Sequence, residues 1–224
     1  YKRTRIARII RIVTTMLKRA FDILFAVCFL VVFSPVYLLT YIIIKIVSPG
    51  PAFYKAKRVG LHGKVFDCYK FRSMRVNSGK VKLTTLQNDD RIFPFGRFIR
   101  KAKIDEMPQT LNILFGDMSV VGPRPEDTVN ADKMYQGEYK HILDVKPGLT
   151  SPASLYDYTH GEAYEDEELY EREFLPQKLQ LELYYVKHQS FWYDVKLILE
   201  TAWLIILKTC GKKEFEKPKE LAEG

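Results

Sequence analysis

Two adjacent carboxylates, Asp105 and Glu106, lie in a stretch crowded with bases: Arg97, Arg100, Lys101 and Lys103 all precede them. Neighbouring carboxylates point in different directions, which ill suits glycoside hydrolysis, where two acids face each other across a sugar bond. Phosphoryl chemistry suits them better. One carboxylate can attack phosphorus to form an acyl phosphate while the other helps to hold a divalent cation. Nearby bases would neutralise phosphate charge. Lys70 and Arg72 alternate in one predicted strand and share a face, where they can grip a phosphate or simply face solvent. Arg124 stands between Pro123 and Pro125, a stiff extended setting that aims a guanidinium in a definite direction. Taken alone, an acidic pair beside bases is also what a capped helix start looks like.

The elements that must position these groups read as follows. From Phe95 the apolar spacing is helical, and Pro108 interrupts it, so a helix boundary is expected around Asp105-Glu106-Met107. Proline and acids both favour a first helical turn, and helix N-termini attract anions. Phe53–Val59 and Val65–Met74 flank Gly60-Leu61-His62-Gly63 and predict a β-hairpin. Residues 75–95 are polar and predict an irregular loop. Residues 162–173 are acidic without the spacing of a calcium loop, which favours a solvated helix face. Gln177–Leu207 predicts one long helical segment whose apolar end could lie at a membrane interface, with Trp192, Tyr193 and Trp203 as anchors. The charged tail after Cys210 is expected to be disordered.

The longest apolar run lies upstream, from Phe21 to Val47, with Ser34-Pro35 at its middle. Proline lacks an N–H and clashes with the Val31 carbonyl, so a helix there should kink or break. Its arms, Lys18–Phe33 and Val36–Ser48, are each roughly 20–24 Å long, short of a bilayer core of about 30 Å. Lys2, Arg3, Arg5, Arg8, Arg11, Lys18 and Arg19 flank it upstream, and Lys45, Lys55, Lys57, Arg58 and Lys64 downstream. Bases on both flanks favour a re-entrant hairpin with both ends at the cytoplasmic surface, against a proline-kinked span. Residues 5–17 read as an amphipathic helix on an anionic surface or as a basic flank. Asp22 lies three to four residues from Lys18 and Arg19, which predicts a structural ion pair near the headgroups or a place in a site.

With 224 residues and a net charge of +8, the chain has room for one globular domain beyond the membrane element. Next to a membrane element, the basic excess favours lipid headgroups and phosphorylated substrates over nucleic acid. Three scattered cysteines, Cys28, Cys68 and Cys210, form neither a disulfide framework nor a zinc set, which fits a reducing compartment. The apolar run is too long for a secretory signal and no small-residue cleavage site follows it. The start at Tyr1 is compatible with an upstream segment. The expected division is 1–17 basic segment, 18–48 re-entrant helix, 49–209 catalytic domain and 210–224 tail.

Arg100-Lys-Ala-Lys-Ile-Asp105-Glu106-Met-Pro108-Gln109, then Asn112-Ile-Leu-Phe-Gly116-Asp117-Met118-Ser119, then Val121-Gly122-Pro123-Arg124-Pro125 resemble the bacterial sugar transferase family. These are small monotopic phosphoglycosyl transferases that begin glycoconjugate assembly on polyprenyl phosphate. Lys18-Arg19 with Asp22, Ser34-Pro35, Pro51-Ala-Phe53-Tyr54 and Lys70-Phe71-Arg72-Ser73-Met74 extend the resemblance over roughly residues 15–207. It implies an α+β fold: a re-entrant helix hairpin broken at Ser34-Pro35, and a small, mostly helical cytoplasmic domain with a β-hairpin and amphipathic interfacial helices. It also implies a Mg²⁺-dependent enzyme of the bacterial inner membrane. Asp105 would attack the β-phosphate of a UDP-sugar and expel UMP, Glu106 would assist through the metal, and polyprenyl phosphate would take the phospho-sugar. Lys70, Arg72, Arg100 and Arg124 would handle phosphates. A homodimer and contact with downstream glycosyltransferases would be compatible with this setting. A phosphatase acting on polyprenyl diphosphates and a non-enzymatic membrane scaffold are the rival readings. Ser151-Pro152-Ala153-Ser154 departs from the commonest family pattern and matches a branch with Leu175–Leu179 and Ser190–Asp194, so no late phosphate-binding arginine is identifiable.

Overall fold

The break in the apolar run follows from one missing donor. In the computed structural model, α1 (Lys2–Val32) and α2 (Ser34–Val47) meet at Phe33 with a bend of 61°. Pro35 has no N–H for the Val31 carbonyl, and the Ser34 hydroxyl donates to it instead over 2.8 Å. The model describes residues 2–76, 91–164 and 166–222, without the side chains of 2–12, 162 and 167. Most of the loop expected at 75–95 therefore lies outside the described residues. The basic segment and the first apolar arm form a single uninterrupted helix. Among the described residues no single helix is long and apolar enough to cross a membrane, and α1 from Val13 passes that measure only together with α2.

Both arms are tied to the body of the protein. Ala26 on α1 and Ile44 on α2 are completely buried, while Val27, Val31, Val32, Phe33, Leu38 and Leu39 between them are exposed. The bend is thus an apolar knuckle projecting from the domain. Asp22 makes neither of the ion pairs its spacing suggests. It is buried, and its Oδ1 accepts from the Ser119 hydroxyl and the Val120 N–H, both at 2.9 Å. Lys18 pairs instead with Asp194. Arg19 donates to the Ile113 and Leu114 carbonyls at 2.5 and 2.8 Å.

The hairpin forms as its aromatic and β-branched residues predict: β1 (Phe53–Val59) runs antiparallel to β2 (Val65–Phe71), with Tyr54 opposite Lys70 and Arg58 opposite Phe66. The Arg72 N–H still donates to the Ala52 carbonyl at 2.8 Å, in register with the hairpin, just past the last strand residue. The body continues through α3 (Pro94–Lys101), a single 3₁₀ turn (Ile104–Glu106) and α4 (Gln109–Phe115). Gly116 ends α4 in the left-handed conformation that favours glycine, with φ of 95°. Asn112 staples α4 to the strand: its Oδ1 accepts from the Tyr69 N–H and its Nδ2 donates to the Asp67 carbonyl.

A second, parallel pair joins β3 (Ser119–Val121) to β4 (Gly148–Thr150) across a crossover containing α5 (Thr128–Met134). Gly122 and Gly148 touch at the backbone. A Cβ on Gly122 would lie 2.3 Å from the Lys146 carbonyl oxygen, which leaves no room for any larger residue. α6 (Pro152–His160) starts at Ser151, whose hydroxyl accepts from the Ser154 N–H. A short α7 (Glu167–Leu169) passes through a π turn into α8 (Leu175–His188). The segment expected as one long helix is two, because Ser190 caps a new start for α9 (Phe191–Thr209). Trp192 and Trp203 are exposed, whereas Tyr193 packs inward with its hydroxyl on Glu220. The tail to residue 222 is docked rather than disordered: Glu220 meets Lys196, and the Phe215 carbonyl meets His160. One core joins Ala26, Phe66, Cys68, Ile113, Met118, Val121, Leu155, Tyr185 and Leu197.

Candidate active site

The acidic pair occupies the one-turn 3₁₀ helix between α3 and α4, as the position of Pro108 suggests. Lys103 begins that turn with φ 57° and ψ 16°, a left-handed conformation rare for a residue with a Cβ. It costs about 1–2 kcal/mol and turns the chain so that Glu106 meets Lys70 of the hairpin. The Lys103 ammonium also lies 4.9 Å from the centre of the Tyr158 ring.

Both carboxylates are 8% exposed, yet their surroundings differ sharply. Glu106 Oε1 accepts from Lys70 Nζ and from Arg124 Nη2, each at 2.9 Å. Burial would raise its pKa, but Arg124, Lys70 and Lys103 outweigh that and hold it well below the usual carboxylate range. Asp105 Oδ1 is buried and has no hydrogen-bond partner among the described residues. Burial and then the charge of Glu106 push its carboxyl upward, against Lys70, Lys103 and Arg100. Two adjacent acids are thereby driven apart in proton affinity, a pattern that marks divided roles. The reciprocal effect appears on Arg124, whose pKa Glu106 raises.

Lys70, Arg124 and Arg58 line a shallow groove open to solvent, with Cys68, Gln109 and Pro125. Of the basic residues singled out in the sequence, Lys70 and Arg124 converge on Glu106. Arg100 sits on α3, half-buried, where its charge acts on Asp105. Arg72 is turned elsewhere: its guanidinium donates to the Ser48 and Pro49 carbonyls and closes the end of α2. Ser34 and Pro35 lie at the bend, remote in role from the groove.

Several groups that shape the site carry no local signal. Arg58 is one cation among five between Lys55 and Lys70; only its register opposite Phe66, on the face of Cys68 and Lys70, brings it to the groove. Tyr37, in the apolar run, donates to the Met107 carbonyl at 2.5 Å and lies 3.2 Å from the Thr110 hydroxyl. Glu182 on α8 accepts from the Arg124 backbone N–H at 2.9 Å.

As hard oxygen donors, two carboxylates fit the number that Mg²⁺ usually takes from protein when substrate phosphates complete its shell. Among the described residues no group of three or more His, Cys, Asp or Glu side chains could hold a metal. Asp105 and Glu106 are the adjacent acids beside Lys70 and Arg124, with Glu106 already bonded to both.

The model of the family described as "Bacterial sugar transferase" matches residues 13–208. The chain is 36% identical over 194 residues to the UDP-glucose:undecaprenyl-phosphate glucose-1-phosphate transferase of Escherichia coli (strain K12), covering 85% of this chain and 40% of that protein. It is 38% identical over 195 residues to the UDP-N-acetylgalactosamine-undecaprenyl-phosphate N-acetylgalactosaminephosphotransferase of Aeromonas hydrophila, covering 85% and 44%. It is 37% identical over 212 residues to the undecaprenyl-phosphate galactose phosphotransferase of Salmonella typhimurium, covering 85% and 40%. The chain thus spans less than half the length of these three relatives. With the match running from the first apolar arm through the acidic turn to the end of α9, the chain belongs to the bacterial sugar transferase family.

Proposed function

We propose that the protein moves a sugar-1-phosphate from a UDP-sugar to polyprenyl phosphate, releasing UMP, with Asp105 as nucleophile. The observation that carries this reading is the contrast inside the acidic pair. Glu106 is locked by Lys70 and Arg124, while Asp105 beside it keeps a buried oxygen with no partner among the described residues. The names of the relatives supply the substrate class. A carboxylate oxygen of Asp105 forms a bond to the β-phosphorus, and the bond from that phosphorus to the bridging oxygen breaks, so UMP leaves with the electron pair. An oxygen of polyprenyl phosphate then attacks the same phosphorus and returns the Asp105 carboxylate. Lys70, Arg124 and Arg100 offset charge on the phosphates, and Glu106 holds the two nearest cations in place. Mg²⁺ held by Asp105 and Glu106 would neutralise phosphate charge and orient the diphosphate. The three relatives act on three different sugars, and the sugar here is left to assay.

A re-entrant placement fits this chemistry. From Ala26 to Phe33 and back to Thr40, the knuckle reaches about 10 Å beyond the domain at a helical rise of about 1.5 Å per residue, within one leaflet of a core of about 30 Å. Ties to the same body at Asp22 and Tyr37 support both arms entering from one side. Such a hairpin keeps the groove beside the headgroups, where the carrier phosphate lies, in the inner membrane and facing the cytoplasm.

The test is UMP release from a panel of UDP-sugars, with and without undecaprenyl phosphate and with Mg²⁺ present or chelated. Asp105→Asn should reduce turnover by at least about a thousandfold, the scale of losing a nucleophile. Full activity in that variant, or inorganic phosphate in place of lipid-linked product, overturns the reading. For topology, cysteines placed at position 3 and at position 222 should react with an impermeant reagent from the same side of sealed vesicles. Reaction from opposite sides refutes the hairpin.

A further inference from the structure

Helix α8 carries three buried polar side chains, Lys178, Glu182 and Tyr185, spaced four and then three residues apart. That spacing aligns them in one row along the helix. Each meets a different point of the segment leading into the groove. The Tyr185 hydroxyl lies 3.1 Å from the Val121 carbonyl and 2.8 Å from the Asp194 carboxylate, between which its one proton is shared. Glu182 Oε1 accepts from the Arg124 N–H at 2.9 Å. Lys178 Nζ pairs with the Glu126 carboxylate at 2.8 Å. Row and segment run in opposite directions and stay in step, with Arg124 at the middle rung.

That rung has a specific need. Prolines on both sides stiffen the chain but lack N–H groups, so the Arg124 N–H is the only backbone donor from Pro123 to Pro125. Glu182 takes it. On the acceptor side, the Pro123 carbonyl is held by the Gly148 N–H at 2.8 Å. The same Glu182 oxygen also accepts from the Ser151 hydroxyl at 3.1 Å, which ties the rung to the start of α6. Its other oxygen, Oε2, is buried with no partner among the described residues. A carboxylate is a costly way to fill space at this position, since an apolar side chain would avoid its desolvation. Burial has raised its pKa to about 7, so the group stays even where its charge is poorly supported.

We propose that Glu182 is the positioning residue of Arg124, fixing the backbone at the one register from which the guanidinium reaches Glu106. Lys178 and Tyr185 hold the flanking rungs. This rests on the reading of the groove as a phosphoryl-transfer site, where misplacing a group by about 1 Å can reduce turnover about a hundredfold.

The full chain in nanodiscs, with the UDP-sugar it turns over and undecaprenyl phosphate, provides the test. Glu182→Met and Glu182→Gln are made alone and with Arg124→Ala, and kcat, KM and melting temperature are measured for each. Glu182→Met should lower kcat/KM about a hundredfold. Glu182→Gln, whose amide oxygen can accept the same two hydrogen bonds, should recover at least tenfold of that loss. In the Arg124→Ala background Glu182→Met should remove little more activity, and the melting loss of the double variant should be smaller than the sum of the two single losses. Glu182→Met within threefold of wild type, an equal factor of loss in both backgrounds, a Gln variant no better than Met, or strictly additive melting losses would each overturn the proposal. A wild type that releases no UMP would sink the reaction instead, while the melting cycle would still decide the positioning role.

Discussion

Replacing Lys70 with Met separates the electrostatics of the groove from its shape, because Met keeps much of the stem and removes only the ammonium. In the native protein Glu106 Oε1 takes two charged donors at 2.9 Å, with the Lys70, Arg124 and Glu106 side chains 18%, 27% and 10% exposed. Removing every partner from a buried carboxylate costs about 3–5 kcal/mol. Arg124 remains in this variant, so about half the lower figure, ~1.5 kcal/mol, is expected. For a chain of this size that is a melting shift of about 3–6 °C at pH 7. The pH dependence follows from the sign. Glu106 is held below the ordinary carboxylate range in the folded protein, first against burial and then by Arg124 and Lys70. Its stabilisation is therefore complete above the unfolded value of about 4.3 and is lost as pH falls through the folded one. Lys70 contributes only while Glu106 is charged. The gap in melting temperature between wild type and Lys70→Met should be full at pH 7 and shrink only in acid, as pH falls through the folded pKa of Glu106 in the variant. UMP release should fall by about two orders of magnitude, as for loss of a transition-state charge partner. A Lys70→Met loss of the same size in a Glu106→Gln background would refute the claim that Lys70 acts through the Glu106 charge.

Two further substitutions probe the supports of the site. Tyr37→Phe removes a donor from the Met107 carbonyl one residue beyond Glu106, and should destabilise the fold by about 1–2 kcal/mol and reduce kcat more than KM; unchanged melting and turnover would refute the tie. Gly122→Ala places a Cβ 2.3 Å from the Lys146 carbonyl oxygen, which should disrupt the parallel pair and strip both melting stability and UMP release; a variant as stable as wild type would contradict that contact.

What was legible in the sequence was what local chemistry controls. The hairpin follows from β-branched and aromatic residues around a glycine-bearing loop, and the acidic turn from the proline that prevents α3 and α4 from fusing. The bend follows from a single proline, and the prolines around Arg124 announce a fixed direction. What was not legible depended on long-range partners or on one residue of register. Lys70 and Arg72 share a strand face in the sequence, and the Arg72 N–H still bonds the Ala52 carbonyl in register, yet its guanidinium is drawn to the Ser48 and Pro49 carbonyls and closes α2. Asp22 has bases in helical reach, but its acceptors are filled by Ser119 and Val120, 97 and 98 residues away. Glu182 looks like one charge on an amphipathic helix until the segment 58 residues upstream is laid against it. The tail reads as solvated charge because nothing local shows that Lys196 waits for Glu220.

Under the proposed function, the ties between the two apolar arms and α4 bear on how a UDP-sugar and a lipid carrier would meet. Tyr37 of α2 holds the start of α4 through Met107 and Thr110, and Arg19 of α1 holds its end through the Ile113 and Leu114 carbonyls. α4 has seven residues, so these ties are about 10 Å apart along its axis. The acidic turn is the direct N-terminal extension of this short strut. A strut held at both ends by the two arms cannot rise or tilt without moving the knuckle itself. The depth of Asp105 relative to the tip of the bend is thus set by the fold rather than by a flexible linker. For a carrier whose phosphate is confined to the headgroup layer, a fixed depth does what a binding pocket does for a soluble substrate. It removes one dimension of search and presents the attacking oxygen at the height of the groove. Shortening either arm by one helical turn, about 5.4 Å, would move the turn off that height while leaving every groove residue in place. Polyprenyl phosphate turnover should then fail before UDP-sugar binding does.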